Sequence, residues 1–266
     1  MNLENILKDV KEIAREAGEI QKKHFRGKNI SMCIKSSKVD LVTKVDKASE
    51  YLIIKKLSEK YDFSFLSEEK GKIDNKSEYK WIIDPLDGTT NFASGFPIFA
   101  VSIALTKGDK TLLGCVYVPM LDEMYTAIKD KKAYLGDSEL RIGKKAKLNQ
   151  SILATGFPYD KVENKDNNSN YFAHMVPKVR GLRRAGAAAY DLVNVASGVF
   201  DGFWEINLSK WDIAAGKLII QEAGGIVKDM ENKRGESIIA GNRSLVKLIE
   251  NELKEVDKCD WSTYSF

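Results

Sequence analysis

The chain has 266 residues, 43% of them hydrophobic and 30% charged, the proportions of a globular protein with a substantial core rather than a disordered or fibrous chain. Lys and Arg exceed Asp and Glu by 42 − 38 = +4, an excess spread along the chain, so composition gives no support to nucleic-acid binding. With two histidines and three widely separated cysteines (Cys33, Cys115 and Cys259, read as reduced thiols), zinc sites and histidine-based mechanisms have little to work with.

The opening MNLENILKDVKEIAREAGEI is charged throughout and has no apolar signal core. No run approaches the roughly 18 apolar residues of a membrane span, so a cytoplasmic protein that engages no membrane is expected. Leu3, Ile6, Leu7, Val10, Ile13, Ala14, Ala17 and Ile20 recur at three- and four-residue intervals, which predicts an amphipathic helix over about 3–25. A second helix is expected from about Asp46, and His24 and His174 read as surface residues.

The apolar stretch FSFL, the acidic pair in SEEKG and a strand WII follow. From Phe96 to Ala127 the pattern becomes that of strands, FPIFAVSIALTKG, TLLGCVYVPM and EMYTAI, with a hairpin turn at KGDK. After SILATGF, the polar segment 160–170 reads as a surface loop. AAAYDLVNVASG predicts a helix ending at Gly198, FDGFWEI a strand, and WDIAAGKLIIQEAGG a helix stopped by its glycines. Two short strands, GIVKDM and SIIAG, and a closing helix, SLVKLIENELKEV, complete the chain. Consecutive strands interspersed with helices argue for layered sheets rather than an alternating barrel.

The carboxylates stand out. Asp84 and Asp87 lie three apart in IIDPLDGTTN, where Pro85 is expected to force a turn at the end of the strand. Taken alone, this is equally a turn or a site. Glu68 and Glu69 also follow an apolar stretch, Asp212 lies close to a helix start, and Asp40 and Asp46 flank LVTKV. If these groups converge, repulsion demands a cation, and hard oxygen donors suit Mg²⁺. Amides at GTTN would suit phosphate, and a cation site beside a phosphate cradle is the apparatus of phosphoryl hydrolysis.

LVTKVDKASE, SEEKG, WIIDPLDGTTNF, ATGFPYD, RRAGAAAYDL, DGFWEI and WDIAAGKLIIQEAGG resemble, in order and spacing, the inositol monophosphatase family of lithium-sensitive, magnesium-dependent phosphatases. That family also includes fructose-1,6-bisphosphatases and nucleotide 3′-phosphatases. The resemblance covers nearly the whole chain and implies an α/β (α+β) fold, a layered αβαβα sandwich forming one domain over 1–266. Its approximate halves are 1–145, with the main metal motifs, and 146–266, with WDIAAG.

The resemblance further implies two to three Mg²⁺ ions per site. Glu68, Asp84 and the Leu86 carbonyl would bind one, Asp84, Asp87 and Asp212 a second, and a third, weaker one would lie near Glu68. Asp46, Glu68 and Thr89 would form the catalytic set, with Thr89, hydrogen-bonded to Asp46, polarising the attacking water. Gly88 and Thr89 would hold phosphate through their amides, and Asp87, Ala188 and Glu205 would contact substrate hydroxyls. A homodimer acting on a small phosphomonoester is implied, with inositol 1-phosphate first. Fructose 1,6-bisphosphate, NADP(H) and 3′-phosphoadenosine 5′-phosphate are the alternatives.

The chain departs from the family pattern in two places. Ser209 and Lys210 replace the His and Cys typical of animal members, and DKKAYLGDSEL carries a lysine where a glycine is usual. The first bears on substrate choice; the second reads as surface variation. A phosphatase with an aspartyl nucleophile needs aspartates two apart, unlike DPLD. A regulatory, RNA-linked member of the fold is the rival from another class, with RGLRRAG as its basic segment, although a solvated turn explains that segment as well.

Overall fold

The computed structural model describes residues 1–27, 32–34, 41–231 and 233–258. Asp40, Cys259 and the Cys33 side chain lie outside the described residues.

Helix α1 (Leu3–His24) starts where Asn2 Oδ1 accepts the amides of Glu4 and Asn5, at 3.0 and 3.3 Å. Its apolar stripe, Ile6, Val10, Ile13, Ala14 and Ala17, is buried as the spacing predicts. The hairpin β1 (Met32–Ile34) and β2 (Leu41–Thr43) leads into α2 (Lys44–Ser58). Then come β3 (Ser64–Ser67), β4 (Gly71–Ile73), β5 (Tyr79–Asp87) and the short α3 (Thr89–Ser94).

A meander follows: β6 (Ala100–Lys107), β7 (Lys110–Val118), β8 (Glu123–Ile128), β9 (Ala133–Leu135) and β10 (Ser138–Glu139). The rest is β11 (Ile152–Thr155), α4 (Ser169–Met175), β12 (Gly181–Arg183), α5 (Ala188–Ala196) and β13 (Gly202–Leu208). The chain closes with α6 (Lys210–Glu222), β14 (Ile226–Asp229), β15 (Glu236–Gly241) and α7 (Arg243–Lys258).

Among the described residues, β10-β9-β8-β7-β6-β5-β3-β4 form an eight-stranded sheet and β12-β11-β13-β15-β14 a five-stranded one. Side-chain alternation assigns the faces of the large sheet. Trp81, Ile83, Val101 and Ile103 pack with α1 and α2, whereas Ile82, Ala100 and Ala104 pack with α5 and α6. The far face of the small sheet packs Trp204, Ile206 and Ile239 against α4 and α7. Helices, sheet, helices, sheet and helices therefore stack as the expected αβαβα sandwich. One apolar cluster runs through the middle helical layer and joins both sheets.

Three expectations need correction. The strand does not stop before Pro85 but continues to Asp87. The missing proline N–H is absorbed by an irregularity in the pairing with β6, between Asp84↔Ser102 and Asp87↔Ala100. Helix α2 begins at Lys44, two residues before the expected start, so Asp46 lies inside its first turn. The strand predicted from Phe96 starts at Ala100, because residues 96–99 carry the exit from α3, the Phe96 amide bonding back to the Asn91 carbonyl at 2.8 Å and the Ile98 amide to the Phe96 carbonyl at 2.9 Å. The histidines fit their reading in part: His24 is exposed, and His174 is half-buried, with Nε2 2.8 Å from Glu252 Oε2.

Candidate active site

A cavity of about 840 Å³ lies where the end of β5 meets the starts of α3, α5 and α6. Glu68, Asp84, Asp87 and Asp212 all line it, together with Leu86, Gly88, Thr89, Ala188 and Glu205. Residues up to 144 positions apart are thus brought into one basin, and neither histidine lines it.

Three carboxylates of the basin, Asp84, Asp87 and Asp212, accept backbone amides. Asp84 is 2% exposed, and its Oδ1 accepts the Leu86 N–H at 3.0 Å across the irregular turn of β5. Asp87 reaches to the start of α5, accepting the Ala188 and Ala189 amides at 3.0 and 2.8 Å and the Tyr190 amide at 3.4 Å. It therefore caps a helix that begins about a hundred residues later, and the Ala188 N–H is already engaged by it. Asp212 accepts the Ser209 N–H at 2.7 Å in the first turn of α6. Glu68 follows β3, and its own amide donates to the Ile83 carbonyl at 3.2 Å.

These amides do not neutralise the basin. Burial, and then Glu68, Asp87 and Asp212, push the Asp84 carboxyl well above the usual carboxylate range. Burial raises Asp87 to about 7 despite its three amide donors. Burial also raises Asp212, which the Ser209 amide only partly offsets. Among the described residues no three His, Cys, Asp or Glu side chains come together as a preformed metal cage. The four carboxyls are nonetheless close enough to share their repulsion, which is the field a divalent cation would relieve. Buried carboxylates and a strand-end carbonyl are hard oxygen donors, so the set fits Mg²⁺ and offers nothing soft to zinc or copper.

Thr89 sits at the first position of α3 with Oγ1 2.7 Å from Asp46 Oδ1 and 3.2 Å from the Leu86 carbonyl. Its single hydroxyl proton is best shared with the nearer carboxylate, and the residue lines the cavity. Gly88, just before it, has φ 93°, and a Cβ there would lie 3.1 Å from both Ala187 Cβ and the Ile98 carbonyl.

Glu205, on β13, faces the far side of the cavity. Burial lifts its carboxyl to about 8, while Arg184 pulls it down. Its carboxylate lies directly over Gly156, where a Cβ would sit 2.1–2.4 Å from Oε1, Cδ and Oε2. Sequence reasoning missed Gly156, together with Gln21, whose Nε2 donates to the Pro85 carbonyl at 2.7 Å. It also missed Glu50, which accepts the Glu69 and Lys70 amides at 3.0 Å and so fixes the SEEKG turn. Glu50 closes the LVTKVDKASE motif, an acid on a helix face that Val45, Ile53 and Leu57 bury, and that was the available signal.

Comparison with known proteins identifies the frame around this basin. The sequence model of the inositol monophosphatase family matches residues 2–258. The chain belongs to that family. An inositol-1-monophosphatase of Mesorhizobium japonicum is 38% identical over 257 residues, covering 93% of this chain and 94% of that one. The Nus factor SuhB of Pseudomonas aeruginosa is 40% identical over 247 residues, 89% of this chain and 91% of its own. The crystal structure of the extragenic suppressor protein suhB from Bartonella henselae superposes with a TM-score of 0.87 at 36% identity, covering 94% of this chain and 99% of that one. This member of the inositol monophosphatase family thus has relatives named as a phosphatase and relatives named as a Nus factor.

Proposed function

We propose that the chain is a Mg²⁺-dependent phosphomonoesterase that hydrolyses a small polyol or sugar phosphate, with inositol 1-phosphate as the leading substrate. The observation that carries this reading is the convergence of Glu68, Asp84, Asp87 and Asp212 beside the Thr89–Asp46 pair in one cavity. Glu68, Asp84, Asp87, Asp212 and the Leu86 carbonyl would hold Mg²⁺. Bound there, Mg²⁺ supplies charge neutralisation at the phosphoryl oxygens and acidifies water.

The chain's own groups do the rest. Thr89 donates its hydroxyl proton in a hydrogen bond to Asp46, which orients the Thr89 oxygen to accept a hydrogen bond from water entering the cavity. As that water gives its proton to Thr89, the Thr89 proton passes to the Asp46 carboxylate. The amides of Gly88 and Thr89 would hold the phosphate, and Glu205 would bind a hydroxyl of the leaving group. Asp87 has a second task, because it fixes the start of α5 and with it the wall next to Glu205.

A phosphate-release panel with Mg²⁺ tests the reading, repeated with Asp84→Asn. Turnover of at least one polyol or sugar phosphate, lost in the variant, supports it; failure to release phosphate from any phosphomonoester overturns it. Asp87→Asn is the less clean probe because it also weakens the cap of α5, leaving one acceptor oxygen where two now serve three amides.

The similarity to SuhB, named a Nus factor, favours one second reading, a role in transcription. Arg183 and Arg184 of RGLRRAG are exposed, which leaves them accessible to a polyanion. RNA binding lost in the Arg183→Ala/Arg184→Ala double variant, in a chain with no phosphatase activity, would favour that reading over catalysis.

A further inference from the structure

Asp191 belongs to AAAYDLVNVASG, a segment that the sequence explains as a helix of small residues. In the structure it lies in the first turns of α5 and is only 1% exposed, yet it lines the same cavity as Glu205 and Asp87. Its Oδ1 is buried and has no hydrogen-bond partner.

A buried carboxyl oxygen without a donor costs roughly 1–3 kcal/mol, so the position calls for an explanation. Capping α5 is not one. The helix's first three amides are taken by Asp87, and the Asp191 amide itself bonds to the Ala187 carbonyl at 3.0 Å. An ion pair is not one either: Arg184 eases the Asp191 charge, but as the smallest of four influences, behind burial, Glu205 and Asp87. Helical side chains lean towards the helix N-terminus, which here is the end that borders the cavity.

We propose that Asp191 is a second substrate-binding carboxyl, taking a hydroxyl of the leaving group beside the one bound by Glu205. This rests on the phosphomonoesterase reading and adds a residue to it. A hydroxyl donor satisfies the orphaned oxygen without bringing charge into a wall that already holds two acids. The same oxygen has nothing to offer a leaving group that lacks hydroxyls, so Asp191 acts on specificity and not on phosphoryl transfer.

The test uses the full chain with Mg²⁺ and two substrates: inositol 1-phosphate, and p-nitrophenyl phosphate, whose leaving group carries no further hydroxyl. In Asp191→Leu, KM for inositol 1-phosphate rises about 10-fold while p-nitrophenyl phosphate changes by less than about twofold. The melting temperature stays level or rises, since an unpartnered polar atom has been removed. Asp191→Asn, which keeps an acceptor oxygen, recovers most of the affinity. If Asp191→Leu does not fold, Asp191→Ala is read against the same two substrates.

Equal losses on both substrates, or no change on either, overturn the proposal. Glu205→Gln separates this failure from that of the underlying reading. If Glu205→Gln weakens inositol 1-phosphate selectively and the Asp191 variants do not, only the role of Asp191 falls. If the wild type releases phosphate from neither substrate, both fall.

Discussion

The two ends of the cavity hold acids in opposite ways. At the β5 end, Asp84, Asp87 and Asp212 are met by backbone amides and repel one another. At the β13 end, burial dominates and Glu205 still repels Asp191, but Arg184, a cation supplied by the chain itself, eases both acids. Amides can point a carboxylate but add no net charge, so on the proposed reading the first end takes its cation from outside the chain. The second end has its own, and its acids are free to recognise neutral hydroxyls.

The sharpest way to break this contrast is to remove one acid from the first end. Asp84→Asn is expected to lower kcat for phosphate release on the order of 10³-fold, and to abolish the rise in melting temperature that Mg²⁺ gives the wild type. Because burial and like charges push its carboxyl up, the metal-free variant should be at least as stable as the metal-free wild type. A variant that loses stability without Mg²⁺ would mean that Asp84 is a structural acid. Next in size is Thr89→Ala, with kcat down about 10²-fold at nearly constant KM and largely restored in Thr89→Ser. A change in KM alone would move Thr89 from water activation to substrate binding.

The second end should respond in KM and in pH. Gly156 is not one of the glycines held at positive φ, and the three nearest atoms an added Cβ would meet all belong to the Glu205 carboxylate. Gly156→Ala is expected to raise KM for inositol 1-phosphate by about 10-fold, leave p-nitrophenyl phosphate alone, and be relieved by the shorter side chain of Glu205→Asp. A Gly156→Ala protein that loses both substrates equally would break the assignment of this end to hydroxyls.

Glu205 titrates near 8 in the folded protein against 4.5 unfolded, so the native state binds the extra proton. The stability it contributes is complete below about pH 4.5 and is lost as pH rises through 8. Melting temperature should therefore fall by a few degrees more between pH 6 and 8.5 in the wild type than in Glu205→Gln. Equal slopes would mean that water or Arg184 already neutralises the group.

How much of this was legible follows from what periodicity can see. It located the layers, because alternation in β5 and β6 and the stripe of α1 report which face is buried. It flagged Asp84, Asp87, Glu68 and Asp212, because acids at element ends have no packing use. It could not see partners. The contact of Gly156 with Glu205 spans 49 positions and rests on a missing atom. Asp87 capping α5 spans about a hundred, and Asp191 looked like one more residue of a small helix. Proline chemistry even misled, since the turn expected at Pro85 is an irregularity inside a continuing strand.

That irregularity sets the smallest test. Where β5 leaves its regular pairing, the Pro85 carbonyl receives its hydrogen bond from Gln21, a fully buried residue on the otherwise apolar stripe of α1. Gln21→Leu removes that donor, at a cost of roughly 1–3 kcal/mol for a stranded buried carbonyl. It also removes Gln21 Oε1, which is buried without a partner, so part of the cost returns. The net loss in stability should be about 1 kcal/mol, the low end of that range. Because Pro85 sits between Asp84 and Leu86, slack in its carbonyl should still be felt in the first end of the cavity. The Mg²⁺ concentration for half-maximal activity is expected to rise about twofold to fivefold, with KM for substrate unchanged. A rise in substrate KM without a change in Mg²⁺ requirement would instead place the influence of Gln21 at the hydroxyl-binding end, and the division between the two ends would be wrong.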